Sequence, residues 1–322
     1  MIGMEDKFLE ENLYLFIGNL ILYLLSYFLQ FYLGHTFNPE EFGLIGTLFT
    51  IIIVITLLIY SLQITITQYI SKNKENKIIN QIIKHSLIIG SFIGLIILIF
   101  SPIISTFLNI EKYLFFWIAI IILAVMQLVT LRGILQGIGD YKRLSFSYIL
   151  EGVFKLILGI LFTVLGFKIN GIMGALLATY FTSFLIIYFS LKKENETSRP
   201  IKEIYATLPY NFSSLLFLQL LGSIDLILVR HFLTPLETGY YTAISTLGRV
   251  IPYLSLTIGL VLLSKSVNNP NKKVLIKSIF LLLIISIPII IIFLIFPELV
   301  IKLSFGSEYL EASNYLGLFV IT

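Results

Sequence analysis

The chain has 322 residues, 57% of them hydrophobic and 12% charged, with a mean hydropathy of +0.97. A water-soluble domain carries about 25% charged residues, and a spanning barrel shows alternating segments of roughly ten residues rather than continuous apolar runs of about twenty. Both are excluded, leaving an all-α polytopic membrane bundle. The absence of cysteine excludes a disulfide framework and a thiolate metal site, and the formal charge of +4 gains meaning only once loops are assigned to sides.

The first eleven residues are mixed in charge (Glu5, Asp6, Lys7, Glu10, Glu11). The apolar run behind them is long enough to span and stay, so no cleavable signal peptide is read. Spans follow at 12–33, 44–70, 84–107, 114–136, 146–166, 171–191, 208–229, 240–264 and 275–301, with an incomplete tenth from about 311. Each complete span is near the ~20 residues that cross a ~30 Å hydrocarbon core. The connections are short except around 192–206, which holds Glu194, Asn195, Glu196, Ser198, Arg199 and Pro200. The chain therefore divides into a first six-helix bundle (1–192), a linker (193–206) and the start of a second bundle (207–322).

A long-range echo supports that division. His-Thr-Phe-Asn-Pro-Glu-Glu-Phe-Gly, from His35 to Gly43, returns as His-Phe-Leu-Thr-Pro-Leu-Glu-Thr-Gly, from His231 to Gly239. His35/His231, Pro39/Pro235, Glu41/Glu237 and Gly43/Gly239 match at one spacing, and each copy has an apolar segment on either side. Duplicated bundles of this kind are common in secondary transporters.

Basic residues orient the bundle. The amino terminus and the even-numbered loops carry sixteen Lys and Arg, among them Lys72, Lys84, Lys142, Arg143, Lys192, Arg199, Lys265 and Lys273. The odd loops carry four: Lys112, Lys168, Arg230 and Lys302. This asymmetry places the amino terminus and the linker in the cytoplasm. Both echoed segments then face outward, so the repeats are parallel and each has an even number of spans. The sequon-like Asn195-Glu196-Thr197 falls on the cytoplasmic side and is coincidental. The sequence stops about eleven residues into its tenth span. It is therefore expected to be a fragment, or a shortened product, of a twelve-to-fourteen-span protein, since open helix ends in lipid are costly.

Several stretches resemble the polysaccharide-biosynthesis flippases, membrane proteins that translocate lipid-linked oligosaccharides and belong to the same superfamily as the multidrug and toxin extrusion (MATE) antiporters. They are Leu131-Arg132-Gly133-Ile134-Leu135-Gln136-Gly137 with Asp140-Tyr141, and Gly171-Ile172-Met173-Gly174-Ala175-Leu176-Leu177-Ala178. Further on come Ser223-Ile224-Asp225, Glu237-Thr238-Gly239-Tyr240-Tyr241 with Ala243, and Phe305-Gly306 with Tyr309 and Ala312. The resemblance covers essentially the whole chain. It implies a MATE-like bundle in the cell membrane that moves an isoprenoid-diphosphate-linked oligosaccharide by alternating access. Its partners would be that substrate, membrane lipids and a coupling H+ or Na+.

Charges inside the bilayer cost roughly 2.5–3.5 kcal/mol each on insertion scales, so they mark candidate sites. Glu151 and Lys155 lie at i, i+4 in the fifth span: either a self-neutralising pair, or a cavity pair in which Lys155 meets a diphosphate or Glu151 exchanges a proton. Asp225 lies in the seventh span with Arg230 five residues on, near the outer surface. Arg249 lies well inside the eighth span with no acid within a turn on its own helix. It either pairs across helices, with Asp225 a partner to consider, or lines a wet cavity that receives an anion, for which its planar fork is suited. The first half has Leu29 and Ile53 at the equivalent places. Arg132 reads as a snorkelling interface anchor.

Other features read structurally. In the echoed turns, Pro39 and Pro235 stop one helix, Glu41 and Glu237 sit near the next helix's positive end, and Gly43 and Gly239 permit the corner. Gly90-x-x-x-Gly94 and Gly133-x-x-x-Gly137 allow close helix approach. Pro252 and Pro288 interrupt spans eight and nine as kinks or hinges. His35, His85 and His231 lack partners at metal spacing. With no phosphate loop, nucleophile elbow or zinc signature, no cofactor, metal or nucleic-acid partner is expected. Two alternatives to the flippase stand: a cation-coupled multidrug or metabolite exporter, and a membrane glycosyltransferase or polymerase. Basic cavity charges argue against the first, and short outer loops with Glu40-Glu41 as the only carboxylate pair argue against the second.

Overall fold

A computed structural model describes residues 2–73, 79–191, 207–251 and 272–321, which are helices joined by short turns. In chain order these are α1 (Ile2–Thr36), α2 (Pro39–Asn73), α3 (Ile79–Leu108), α4 (Tyr113–Gly137), α5 (Tyr141–Val164), α6 (Lys168–Ser190), α7 (Leu208–Phe232), α8 (Pro235–Gly248), α9 (Lys272–Ile295) and α10 (Pro297–Phe305). A 3₁₀ turn (Ser307–Ala312) and α11 (Ser313–Ile321) complete them. The first six are each long and apolar enough to cross a membrane. The linker 193–206 and Pro252 lie outside the described residues.

The chain forms two compact units, Ile45–Phe232 and Met1–Leu44 with Leu233–Thr322. In the first, α4 is the central helix, buried along most of its length, while α3 turns Ile88, Phe92, Ile99 and Ile103 outward. That distribution is inverted relative to water only in what the exposed face meets: an apolar outer surface suits lipid. Gly133 and Gly137 form the seam for α2, since a Cβ at Gly133 would lie 2.9 Å from the Gln63 carbonyl oxygen and one at Gly137 would lie 2.7 Å from Ile70 Cβ. Hydroxyls stitch the same seam: Thr67 donates to the Gly133 carbonyl at 3.1 Å and Ser71 to that of Gly137 at 3.2 Å. Gly90 and Gly94 bring α3 against Met126 and Ala119 of α4.

Two ends of the expected ninth and eighth spans differ from the sequence reading. The span read at 275–301 ends at Ile295, and the chain turns by 97° into α10. The break is at Pro297 rather than Pro288, which the helix carries in its interior. Pro297 has no N–H for the ladder and pushes Phe296 out of helical geometry (φ −125°, ψ 48°). The span read at 240–264 is interrupted as well, because α8 closes after 14 residues at Gly248.

The echoed turns are built alike. Asn38 accepts the Glu41 N–H at 2.9 Å, and Thr234 with Glu237 forms a reciprocal capping box that starts α8. Hydrogen bonds from the Thr234 N–H and hydroxyl hold the Glu237 carboxyl below the usual carboxylate range. The glycines do not make the corners, as the sequence suggested. Both lie inside helices without positive φ, and they pack α2 and α8 backbone to backbone. A Cβ on Gly43 would sit 2.6 Å from the Gly239 nitrogen, and one on Gly239 would run into the Pro39 carbonyl oxygen. Beside them Phe305 packs its ring against Gly34 and Phe42, and the buried Tyr309 hydroxyl donates to the Phe37 carbonyl at 2.9 Å.

Alanine in a helix gains at most about 1 kcal/mol over glycine, whereas overpacking costs about 1–3 kcal/mol. Gly239→Ala is therefore expected to lower the unfolding temperature of the purified protein. Gly174→Ala, whose Cβ would meet nothing nearer than a Phe162 ring carbon at 3.4 Å, should leave it unchanged or raise it.

Candidate functional site

The turn between α4 and α5 determines which side chains meet. Gly139 (φ 76°) takes the left-handed position, its N–H bonding to the Gln136 carbonyl while that of Asp140 bonds to Leu135. This glycine-closed helix end reverses the chain in three residues. Asp140 caps α5 by accepting the Arg143 N–H, and Arg143 pairs with Asp140 at 3.0 Å while bonding the Ser190 carbonyl of α6. With the reversal fixed, Arg132, about two turns before the corner, faces the stripe Ser147, Glu151 and Lys155 that recurs every four residues along α5.

Arg132 is not a snorkelling anchor. Its side chain is 2% exposed and pairs through Nη2 with Glu151 Oε2 at 2.8 Å. Nε donates to Ser147 Oγ and Nη2 to the Ser147 carbonyl, each at 3.0 Å, and the guanidinium lies 4.1 Å from the Tyr148 ring centroid. A snorkelling side chain needs an open path to the interface, and here α5 closes that path. The second Glu151 oxygen takes Lys155 Nζ at 3.4 Å; the Glu151 side chain is 8% and that of Lys155 17% exposed. Lys155 also lies 5.9 Å from the Tyr180 ring of α6, at the outer limit of a cation–π contact. The centre holds two cations and one carboxylate, so it carries one unit of positive charge. The Thr130, Thr179 and Ser183 hydroxyls of α4 and α6 are buried without a hydrogen-bond partner.

The remaining candidates fall elsewhere. Arg230 is buried in the last turn of α7, where Nε and Nη2 donate to the carbonyls of Leu108 and Asn109 at 3.0 Å each. Cations are favourable at a helix carboxyl end, and this one closes α3. Its neighbour His231 stacks on Phe107 at 3.9 Å between ring centroids. Asp225 is half-buried on α7 in the same unit. Arg249, half-buried, is the C-cap residue of α8 rather than a residue within a continuous span, and its N–H bonds to the Ser245 carbonyl. Its charge lies at the negative end of a 14-residue helix. Gly248 before it is crowded by the Phe319 ring. Pro39, Gly43, Pro235 and Gly239 meet in the α2–α8 contact, and no group of three or more metal-ligating side chains occurs among the described residues.

A multi-pass helical membrane bundle with a buried cationic centre is the class these features define. The chain belongs to the polysaccharide biosynthesis protein family, which it matches over residues 8–263. It is 24% identical to an uncharacterized membrane protein of Methanocaldococcus jannaschii over 317 residues, covering 90% of this chain and 75% of that protein. Its fold is that of MATE transporters. A multidrug resistance MATE family transporter of the MOP superfamily in its inward-facing conformation aligns with TM-score 0.63 at 17% identity, over 93% of this chain and 76% of its own. A MOP superfamily transporter from Pyrococcus furiosus, described as having a binding pocket of reverse polarity, aligns with TM-score 0.61 at 18% identity, over 99% and 80%.

Removing one partner of a buried pair costs about 3–5 kcal/mol because the other charge is stranded. Arg132→Ala should therefore lower the unfolding temperature strongly, and Arg132→Lys should do so as well, since an ammonium cannot reach Ser147 and Glu151 as one fork. The Arg132→Gln/Glu151→Gln double variant should recover most of the loss, measured by thermal unfolding in one detergent.

Proposed function

We propose that the protein is a flippase that carries an isoprenoid-diphosphate-linked oligosaccharide across the cell membrane by alternating access. The observation that carries the reading is the buried Arg132–Glu151–Lys155 centre with its unit of excess positive charge. A buried cation in excess is expensive unless an anion visits it, and the diphosphate of a lipid-linked glycan is such an anion. Lys155, the most exposed member of the centre, is the phosphate-facing group, and Arg249 is proposed separately as an anion contact within its own unit. The protein makes and breaks no bond. It lowers the barrier to moving a polar head group through hydrocarbon, and the isoprenoid tail stays in lipid.

Family membership supports a role in polysaccharide synthesis, and the MATE-like fold supports movement of cargo. The reverse polarity described for the Pyrococcus furiosus transporter is a precedent for a binding pocket of changed polarity on this fold. The same centre weighs against export of cationic drugs, which would be repelled. In this reading residues 1–192 and 207–322 are the two parallel repeats, about ten spans in all. Residues 193–206 join them in the cytoplasm, where the sixteen basic residues place the amino terminus. Asp225 and Glu151 are the candidate acids for a coupling H+ or Na+. Pro252 lies next to the interruption after α8 and, with the crossing at Gly43 and Gly239, is a place for the two repeats to rock.

Reconstitution into proteoliposomes tests this. The wild-type protein should translocate a fluorescent isoprenoid-diphosphate disaccharide and should not move ethidium. Loss of a charge-assisted hydrogen bond is worth about 1.5–3 kcal/mol, so Lys155→Gln and Arg249→Gln should each slow translocation about tenfold or more while remaining folded. Ethidium transport without glycan transport would overturn the reading in favour of an exporter, and unaltered glycan transport by both variants would remove the proposed site.

A further inference from the structure

The two bonds made by Glu151 are unequal. Its contact with Arg132, at 2.8 Å, has the length of a strong charge-assisted bond, whereas that with Lys155, at 3.4 Å, is long for one. Arg132 is further fixed by both Ser147 oxygens and by the Tyr148 ring. An ammonium has three donors, and among the described residues Lys155 directs one of them to Glu151. The carboxylate is thus anchored on one side and slack on the other.

From this asymmetry we infer that Glu151 is an internal counter-anion which a substrate phosphate displaces from Lys155 while Arg132 retains it. The inference rests on the flippase reading and adds how the site recognises its cargo. In the empty site Glu151 partly neutralises Lys155. A phosphate oxygen that takes over the Lys155 donors does not strand the carboxylate, because its stronger partner stays in place. The exchange makes the site selective for an anion dense enough to outcompete a carboxylate. It also keeps binding weak enough for release, since Glu151 returns when the phosphate leaves. Arg132 acts here as a positioning residue: it holds the carboxylate within reach of Lys155 without contacting the cargo.

Binding by the full chain in nanodiscs tests this, with farnesyl diphosphate, inorganic pyrophosphate and phosphatidylglycerol vesicles as separate probes. The Arg132→Gln/Glu151→Gln double variant keeps the local charge at one positive unit while removing the competing anion. It should bind farnesyl diphosphate about threefold tighter or more, the scale of one partly screened ion pair. Glu151→Asp, whose carboxylate is drawn back by one methylene, should shift affinity in the same direction and covers the case in which the double variant does not fold. Unchanged or weaker binding in these variants overturns the exchange. Lys155→Gln separates the two levels: if it abolishes binding while the others change nothing, the phosphate contact stands and the exchange falls. If Lys155→Gln binds as the wild type does, both fall. Farnesyl diphosphate binding well above that of pyrophosphate assigns the site to a lipid-linked phosphate. Equal binding of pyrophosphate assigns it to free phosphates and preference for phosphatidylglycerol to bulk lipid, and either overturns the cargo named here.

Discussion

The bond between Arg132 and Glu151 ties α4 to α5 in the interior of the first unit. A guanidinium keeps its charge, so among apolar helices it needs acceptors or a counter-anion, and its pairing with Glu151 requires that α4 and α5 turn on each other in one register. The corner at Gly139 supplies that register, and Ser147 and Tyr148 fill the other faces of the guanidinium. With that face of α4 committed, the next residue, Gly133, points toward α2 and opens a seam in which backbone touches backbone. Gln127, about a turn and a half earlier, meets Ser86 of α3. One helix thus distributes three kinds of contact around itself: an ion pair, a glycine seam and a side-chain amide. Neighbouring positions in its sequence belong to different interfaces.

Much of the fold was legible because hydrophobic length is a local property. The six apolar runs up to Ser190 appear as helices with ends within about five residues of those expected, except that α1 already begins at Ile2, and the Pro-x-Glu turns announce α2 and α8 through cap chemistry that needs only four residues. What the sequence did not disclose is which helix faces meet. Arg132 near a span end has the same local signature whether it snorkels or is covered, and only the fold-back at Gly139 decides. That signal was partly present: Arg132 and Ser147 lie on either side of the Gly137-Ile138-Gly139 corner, so a reversal there brings their helices together. The two echoed glycines looked like corner residues because glycine often is one, whereas their use is mutual contact, which is non-local. Prolines mislead in the same way. Pro288 sits within α9 while Pro297 breaks the chain, although both follow apolar runs.

Intramembrane charge is an uneven guide to function, and this chain shows why. Arg230 was singled out on cost alone, yet its guanidinium closes the end of α3 through two carbonyls. Arg249 terminates α8, where the helix dipole offsets part of its charge. Both have structural uses that a count of charges does not reveal. The Arg132–Glu151–Lys155 centre differs in that its structural need would be met by one cation. Arg132 alone gives Glu151 a strong partner, and Lys155 adds a second charge with a long bond and more exposure.

That surplus is where fold and function separate. The same helical architecture is shared with multidrug transporters at under a fifth of identical residues, so the architecture fixes how helices pack and leaves the cargo undetermined. Cargo is chosen by the sign and placement of a few charges that the bundle can tolerate. A negative centre would concentrate cations and expel phosphates; a centre with one cation beyond neutrality does the reverse, and in a low-dielectric surround the discrimination is steep. In the proposed reading, holding the carboxylate on Arg132 would moderate that steepness, because the centre would not offer two bare cations to an anion. A carrier needs this compromise: an anion must be favoured over hydrocarbon and over other cargo, yet not held so firmly that the step of letting go limits every cycle.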